Sequence, residues 1–173
     1  MDVNFEGFFN PNSVAVVGAS RQKGKVGYEV LRNVIEGGFE GKIYPVNPKA
    51  DQVLGLKCYH DLAAYPGRID QSILVIPARF VKAAVEQSIA AGATAVNVIS
   101  AGFKETGAEG AALDAELKDL CAAHHVRMLG PNCLGLLNTG AHMNASFANV
   151  MPKAGNISFV TQSGALCAAM LDW

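Results

Sequence analysis

The chain alternates short, β-branched apolar runs with longer stretches whose apolar positions recur every three or four residues. Residues 14–17, 42–46, 72–76, 95–99 and 126–129 are the short runs, rich in Val and Ile. Near-continuous apolar runs of this length suit strands buried on both faces of a parallel sheet. Between them, Val26, Val30, Leu31, Val34 and Ile35 share one helical face. So do Val81, Ala84, Val85 and Ile89, and later Leu113, Leu117, Leu120 and Cys121. Gly37 with Gly38, and Gly92, stand where the first two helices should stop. Each crossover is of βαβ length, so the pattern predicts an α/β fold, a Rossmann-like doubly wound parallel sheet with helices on both faces. Pro45 disfavours a central place for the second strand.

The flanks read differently. Residues 1–9, with Phe5, Phe8 and Phe9, are expected to cap the core as a short helical or irregular segment. A loop through Gly55 leads to a weak helical patch at 61–65. Residues 139–155 show no clear period, after which 157–160 should open a new strand and an apolar helix runs on to Trp173. A structureless stretch of more than about 12 residues is unusual inside one compact unit. The expected organisation is therefore a first domain over 1–138, a linker over 139–155, and the first strand and helix start of a second, truncated α/β domain over 156–173. The chain then reads as the front portion of something longer.

Composition narrows the function classes. Half of the 173 residues are hydrophobic, enough for one filled core. Lys and Arg number 14 against 15 Asp and Glu, a net charge of −1, so no overall basic charge points to nucleic acid. An anionic ligand must be met by local cations. Cys58, Cys121, Cys133 and Cys167 form no C-x-x-C pair and no metal-ligand spacing with His. No apolar run approaches the roughly 18 residues of a membrane span. The expectation is a soluble, cytoplasmic protein with no metal site and no membrane.

The candidate chemistry lies where strands end. Residues 14–17 stop at Gly18, and Ala19 to Lys25 bridge to the next helix. A strand-to-helix junction of this kind gathers unpaired N–H groups and the positive end of a helix dipole, and so favours anions; Lys23 and Lys25 add charge. As a dinucleotide fingerprint it is imperfect, because G-x-G-x-x-G needs glycine where Ser20 stands, and the next glycines are Gly24 and Gly27. An ordinary turn without a ligand is the alternative. The second strand ends in Asn47, Pro48 and Lys49, without the acid that an NAD ribose requires. Lys49 suits a phosphorylated ribose, as in NADP or coenzyme A.

Six ordered motifs carry a resemblance: residues 11–20 (PNSVAVVGAS), 44–49 (YPVNPK), 76–78 (IPA), 100–103 (SAGF), 129–135 (LGPNCLG) and 161–164 (TQSG). Together they resemble the CoA-binding front part of NDP-forming acyl-CoA synthetases, relatives of the succinyl-CoA synthetase α subunit. The same module occurs in bacterial protein lysine acetyltransferases. The resemblance implies that Gly18, Ala19, Ser20 and Lys25 meet the CoA phosphates and Lys49 its phosphorylated adenosine end. It further implies that Ile76, Pro77 and Ala78 wall the nucleotide, that Ser100, Ala101, Gly102 and Phe103 line the pantetheine path, and that Asn132 and Cys133 lie near the thiol.

In the family the junction at Gln162, Ser163 and Gly164 is a helix N-terminus that receives the phosphate of a phosphohistidine. Here His60, His124, His125 and His142 all precede it. ATP or another NTP, an ATP-grasp domain or subunit and the phosphohistidine would therefore lie outside this sequence, which alone should carry no turnover. The resemblance leaves a homo-oligomer open. Cys133 reads as a small buried residue rather than a nucleophile. Ser163 lacks the glycine that a nucleophile elbow needs at Thr161. The alternatives to a ligase module are a CoA-sensing domain of a lysine acetyltransferase and an NADP oxidoreductase.

Overall fold

A computed structural model of the chain describes residues 5–172. The start of the expected N-terminal cap, residues 1–4, and Trp173 lie outside the described residues. In order, the chain forms α1 (Glu6–Phe9), β1 (Ser13–Val17), α2 (Val26–Glu36), β2 (Lys42–Val46), a small hairpin of β3 (Gln52–Val53) and β4 (Leu56–Lys57), and β5 (Gln71–Leu74). There follow α3 (Val81–Ala90), β6 (Ala95–Val98), α4 (Ala108–Ala123), β7 (Arg127–Leu129), a hairpin of β8 (Gly135–Asn138) and β9 (Met143–Ser146), and α5 (Gly164–Leu171).

Five strands pair in parallel in the order β2-β1-β5-β6-β7. The chain steps outward from β1 to β2, then returns to the other side of β1 at β5, which makes β1/β5 the topological switch point. β2 is an edge strand, the place where Pro45 costs no ladder bond. β5 ends two residues earlier than its apolar run, because the Ile76 N–H is taken by the Ser100 hydroxyl at 3.0 Å.

The period-two alternation of β1 divides its side chains between two cores. Ala15 and Val17 pack with Val81 and Val85 of α3 and Leu117 and Cys121 of α4. Val14 and Val16 pack with Val30, Leu31 and Val34 of α2 and with Met143 and Ala145 of β9. Burying one such aliphatic side chain contributes about 1.5–3 kcal/mol. The second face is thus covered by one helix and a hairpin, where helices alone were expected.

That hairpin corrects the reading of 139–155 as a uniform linker. All four residues of β9 are buried, and Asn97 Nδ2 donates to the Ala145 carbonyl at 2.9 Å. Asn144 and Ser146 look like loop residues in sequence, but the Ser146 hydroxyl donates to Asn144 Oδ1 at 2.6 Å inside the fold. At 61–65 the expected helical patch is a turn, with the Asp61 carboxylate accepting the Ala64 N–H. No strand forms at 157–160, where Ile157 and Val160 are 90% and 94% exposed. A strand needs a neighbour to satisfy its backbone, and none lies beside this segment among the described residues.

Candidate functional site

All five strands of the sheet point their carboxyl ends to one edge, so the predicted junctions meet there. Gly18 has φ +93°, and its N–H donates to the Val46 carbonyl at 2.9 Å. A Cβ on Gly18 would stand 2.1 Å from the Val75 carbonyl oxygen, and one on Gly27 would stand 2.0 Å from that of Gly18. Strand end, β5 exit and helix start therefore touch backbone to backbone, an approach only glycine permits. Gly27 is a residue whose role sequence reasoning missed, since its partner is distant in a pattern that lacks the usual second glycine.

The loop between these glycines is held from within. Ser20 Oγ accepts the Gln22 N–H at 3.0 Å, and Glu29 Oε1 accepts the Gly24 N–H at 2.9 Å. No side chain caps α2 at Lys25, and the Lys25 side chain is exposed. The positive end of the α2 dipole therefore faces the loop without a side-chain acceptor at its cap.

Asn47 binds the second junction to the first. Its Nδ2 donates to the Ala19 carbonyl at 2.6 Å, while its Oδ1 accepts the Lys49 N–H at 2.8 Å. The absence of an acid at the end of β2 thus has a backbone reason, an Asx turn that an amide completes with both its ends. Exposed Lys49 is brought beside the loop, and Arg21 Nη2 donates to the Lys49 carbonyl at 3.4 Å. Arg21 is a second cation that the sequence reading passed over, because loop residues carry no periodicity to single them out.

A cavity of about 870 Å³ runs along the strand ends from Val26, the first residue of α2, and neither the loop 18–25 nor Lys49 lines it. Val26, Val75, Ile76 and Pro77 form one end, Ile99, Ser100 and Ala101 its middle, and Asn132, Cys133, Leu134 and Phe147 the far wall. Gln162, Gly164, Ala165 and Ala168, around the start of α5, complete it. Eight of the expected site residues line this single space. The Ser100 hydroxyl is committed to Leu74 O and Ile76 N, so it fastens β5 to the wall and offers a ligand little. Ala78 and Gly102 sit together just off the cavity, where a Cβ on Gly102 would stand 3.0 Å from that of Ala78. Phe103 departs from expectation: it is 1% exposed, in the core with Leu117, so it seats its loop and does not line a path.

At the far wall Gly130–Pro131 is a cis peptide, Asn132 has φ +55°, and its N–H donates to Ser100 O at 2.9 Å. The Cys133 thiol donates to Asn97 Oδ1 at 3.2 Å and Val98 O at 3.4 Å. Burial pushes this thiol up to about 11, so it stays protonated at neutral pH and is no activated nucleophile. The Ser163 hydroxyl accepts the Leu166 N–H at 3.2 Å and caps α5, a helix-capping role. No group of three His, Cys, Asp or Glu side chains able to hold a metal occurs among the described residues, and no helix among them is long and apolar enough to cross a membrane. The arrangement is built to bind, with an anion-favouring corner at one end and a mostly apolar trough behind it.

Comparison with known proteins agrees with this geometry. ADP-forming acetate–CoA ligase I of Archaeoglobus fulgidus is 45% identical over 168 residues, covering 97% of this chain and 24% of the ligase. ADP-forming acetate–CoA ligase II subunit alpha of Pyrococcus furiosus is 43% identical, with 95% of this chain and 35% of the subunit covered. Among solved structures, the dinucleotide-forming acetyl-coenzyme A synthetase 1 of Candidatus Korarchaeum cryptofilum, in complex with phosphate and ADP, superposes with a TM-score of 0.92 at 39% identity, over 98% of this chain and 36% of that one. The chain spans between about a quarter and rather more than a third of the length of these relatives. A family described as CoA binding domain matches residues 12–139, from the strand that leads into Gly18 to the hairpin beyond the far wall. With the switch-point corner and the trough behind it already in place, this match makes the chain a member of the CoA-binding domain family.

Proposed function

We propose that the chain is the CoA-binding part of an ADP-forming acyl-CoA ligase, which joins a carboxylic acid to CoA at the expense of a nucleoside triphosphate. CoA places its diphosphate in the loop 18–25 and its ribose phosphate between Lys49 and Arg21. Its pantetheine arm runs past Ile76, Pro77, Ser100 and Ala101, and its thiol ends near Asn132 and Cys133. The observation that carries this reading is the continuous cavity from Val26, at the start of α2 beside the loop 18–25, to the start of α5. An uncharged, extended arm suits its mostly apolar walls, and the start of α5, with Gln162 and Gly164 on the cavity wall, adds a second helix N-terminus where a phosphoryl or acyl phosphate group would arrive.

The nucleotide and the phosphohistidine belong, on this proposal, to an ATP-grasp domain or subunit. That some relatives are named as alpha subunits and others as whole ligases supports either arrangement. Residues 156–173 begin the next α/β domain, and the first domain extends through β9 to about residue 148. Four unpaired cysteines support a cytoplasmic setting.

Titration calorimetry tests the assignment. CoA should bind and NADP should bind more weakly or not at all; equal or tighter binding of NADP would sink the reading. Lys49→Ala should cost about 1–3 kcal/mol of CoA affinity, shrinking with salt. Dephospho-CoA should lose little further affinity in that variant, whereas an undiminished preference for CoA would transfer the ribose phosphate to another group.

A further inference from the structure

A line of side chains on α2 joins the loop 18–25 to the Phe147 wall of the cavity. Glu29 Oε1 accepts the Gly24 N–H, and Glu29 Oε2 pairs with Arg32 Nη1 at 2.5 Å. Arg32 Nη2 donates to Asn33 Oδ1 at 3.0 Å, and Arg32 Nε faces the Glu36 carboxylate at 3.4 Å. Asn33 Nδ2 in turn donates to the carbonyls of Ser146, at 2.9 Å, and Ala148, at 2.7 Å. Those two residues flank Phe147, which stands in the far wall of the cavity. The line thus begins in the loop 18–25 and ends on the backbone either side of a cavity residue.

Its far end is buried and fully engaged. Asn33, Asn144 and Ser146 are at most 5% exposed, Asn144 Nδ2 also donates to Ala148 O at 3.3 Å, and the Ala148 N–H donates to Ser146 Oγ at 3.1 Å. Buried polar groups of this kind are costly to leave unpaired, so a shift of one member is resisted by all. A guanidinium is the one side chain whose planar fork can serve Glu29 and Asn33 together.

We propose that Glu29, Arg32 and Asn33 are positioning residues that hold the loop 18–25 and the Phe147 wall in one register, so that a phosphate seated in the loop tightens residues 146–148. The proposal rests on the CoA reading above for its ligand, and on this line of ion pairs and hydrogen bonds alone for its unliganded behaviour.

Amide hydrogen exchange on the whole chain, with and without saturating CoA, tests both. In the wild type, CoA should slow exchange in residues 20–25 and in 146–149. Without CoA, Arg32→Met should speed exchange in both segments about tenfold while leaving 71–74 and 95–98 unchanged. With CoA, its protection should reach 20–25 only. Arg32→Lys keeps a cation for Glu29 but has all its donors on one nitrogen, where Arg32 uses Nη1 for Glu29 and Nη2 for Asn33, so it should keep the loop protected and lose the response at 146–149. A merely structural arginine would loosen the strands along with both segments, and that result overturns the proposal. So does equal CoA protection of 146–149 in the wild type and both variants, or unliganded exchange that Arg32→Met leaves as it was. Failure of the wild type to bind CoA would instead refute the CoA reading, and the unliganded comparison then decides the relay by itself.

Discussion

The corner where β1 passes into α2 and the segment 147–172 are both apolar-rich, yet they are built in opposite ways. In the corner, Val14 and Val16 are fully buried, Gly18 and Gly27 meet backbone at van der Waals limits, and Asn47 closes the loop. In the later segment, Ile157 and Val160 are almost wholly in solvent, and Leu166 and Met170 are half exposed on α5. Other strands of the same sheet close the corner, whereas the segment leaves its large apolar side chains half or almost wholly in solvent. A pair of β-branched side chains so exposed marks a surface meant to be covered. On the proposed reading the cover is the rest of the second domain, for which the start of α5 already forms one side of the CoA trough.

The largest effect should come from adding one methyl group in the corner. Gly18→Ala would require φ +93° of a residue with a Cβ and press that carbon against the Val75 carbonyl, so it should cost about 3 kcal/mol or more in urea unfolding. Gly24 also has positive φ, +84°, but nothing lies within 4 Å of its missing Cβ. Gly24→Ala should therefore cost only about 1 kcal/mol, the left-handed strain without the clash. Equal costs for the two would mean that the corner is held by φ alone and is no tighter than an open turn.

The corner was legible in the sequence because its signals are local: a β-branched run, a glycine that ends it and a helical period that resumes after a fixed gap. The parallel sheet followed from the same pattern, and Pro45 already spoke against a central place for the second strand. What stayed hidden depends on partners far along the chain. β9 reads as loop because Asn144 and Ser146 satisfy each other and Asn33 only once α2 is in place. Phe103 reads as a pocket residue from its motif, but the turn that carries it points it into the core. The strand expected at 157–160 has the right residues and no ladder, since propensity cannot replace a neighbour.

A middle-sized effect follows from the thiols on the built side of the comparison. Burial pushes Cys133 and Cys121 up to about 11 from an ordinary 9.0, so folding favours their protonated form. Stability from this source is complete below about pH 9 and is lost as pH rises towards 11, because the unfolded chain ionises first. Cys133→Ser keeps a donor for Asn97 Oδ1 and removes one titration, so its stability should fall less steeply than the wild type's between pH 9 and 11. Parallel pH profiles of urea midpoints would show instead that the Cys133 thiol ionises as freely in the fold as outside it.

The smallest effect should be at the other end. Replacing both Ile157 and Val160 with Ser removes two β-branched apolar side chains, a change that costs several kcal/mol where such residues are buried. Here both side chains are at least nine-tenths exposed, so stability should move by no more than about 0.5 kcal/mol, as for ordinary surface substitutions. Solubility should rise, because the exposed run is an unpaired strand candidate and serine lowers its tendency to pair with another copy. A loss of more than about 1 kcal/mol would break the comparison, since it would mean that the segment packs on the first sheet in solution. In a longer chain that supplies neighbouring strands, the same pair should behave like core residues, at about 1.5–3 kcal/mol for each buried side chain. The contrast between near silence in this chain and a large cost in the longer one measures how much of the segment's apolar surface waits for a partner.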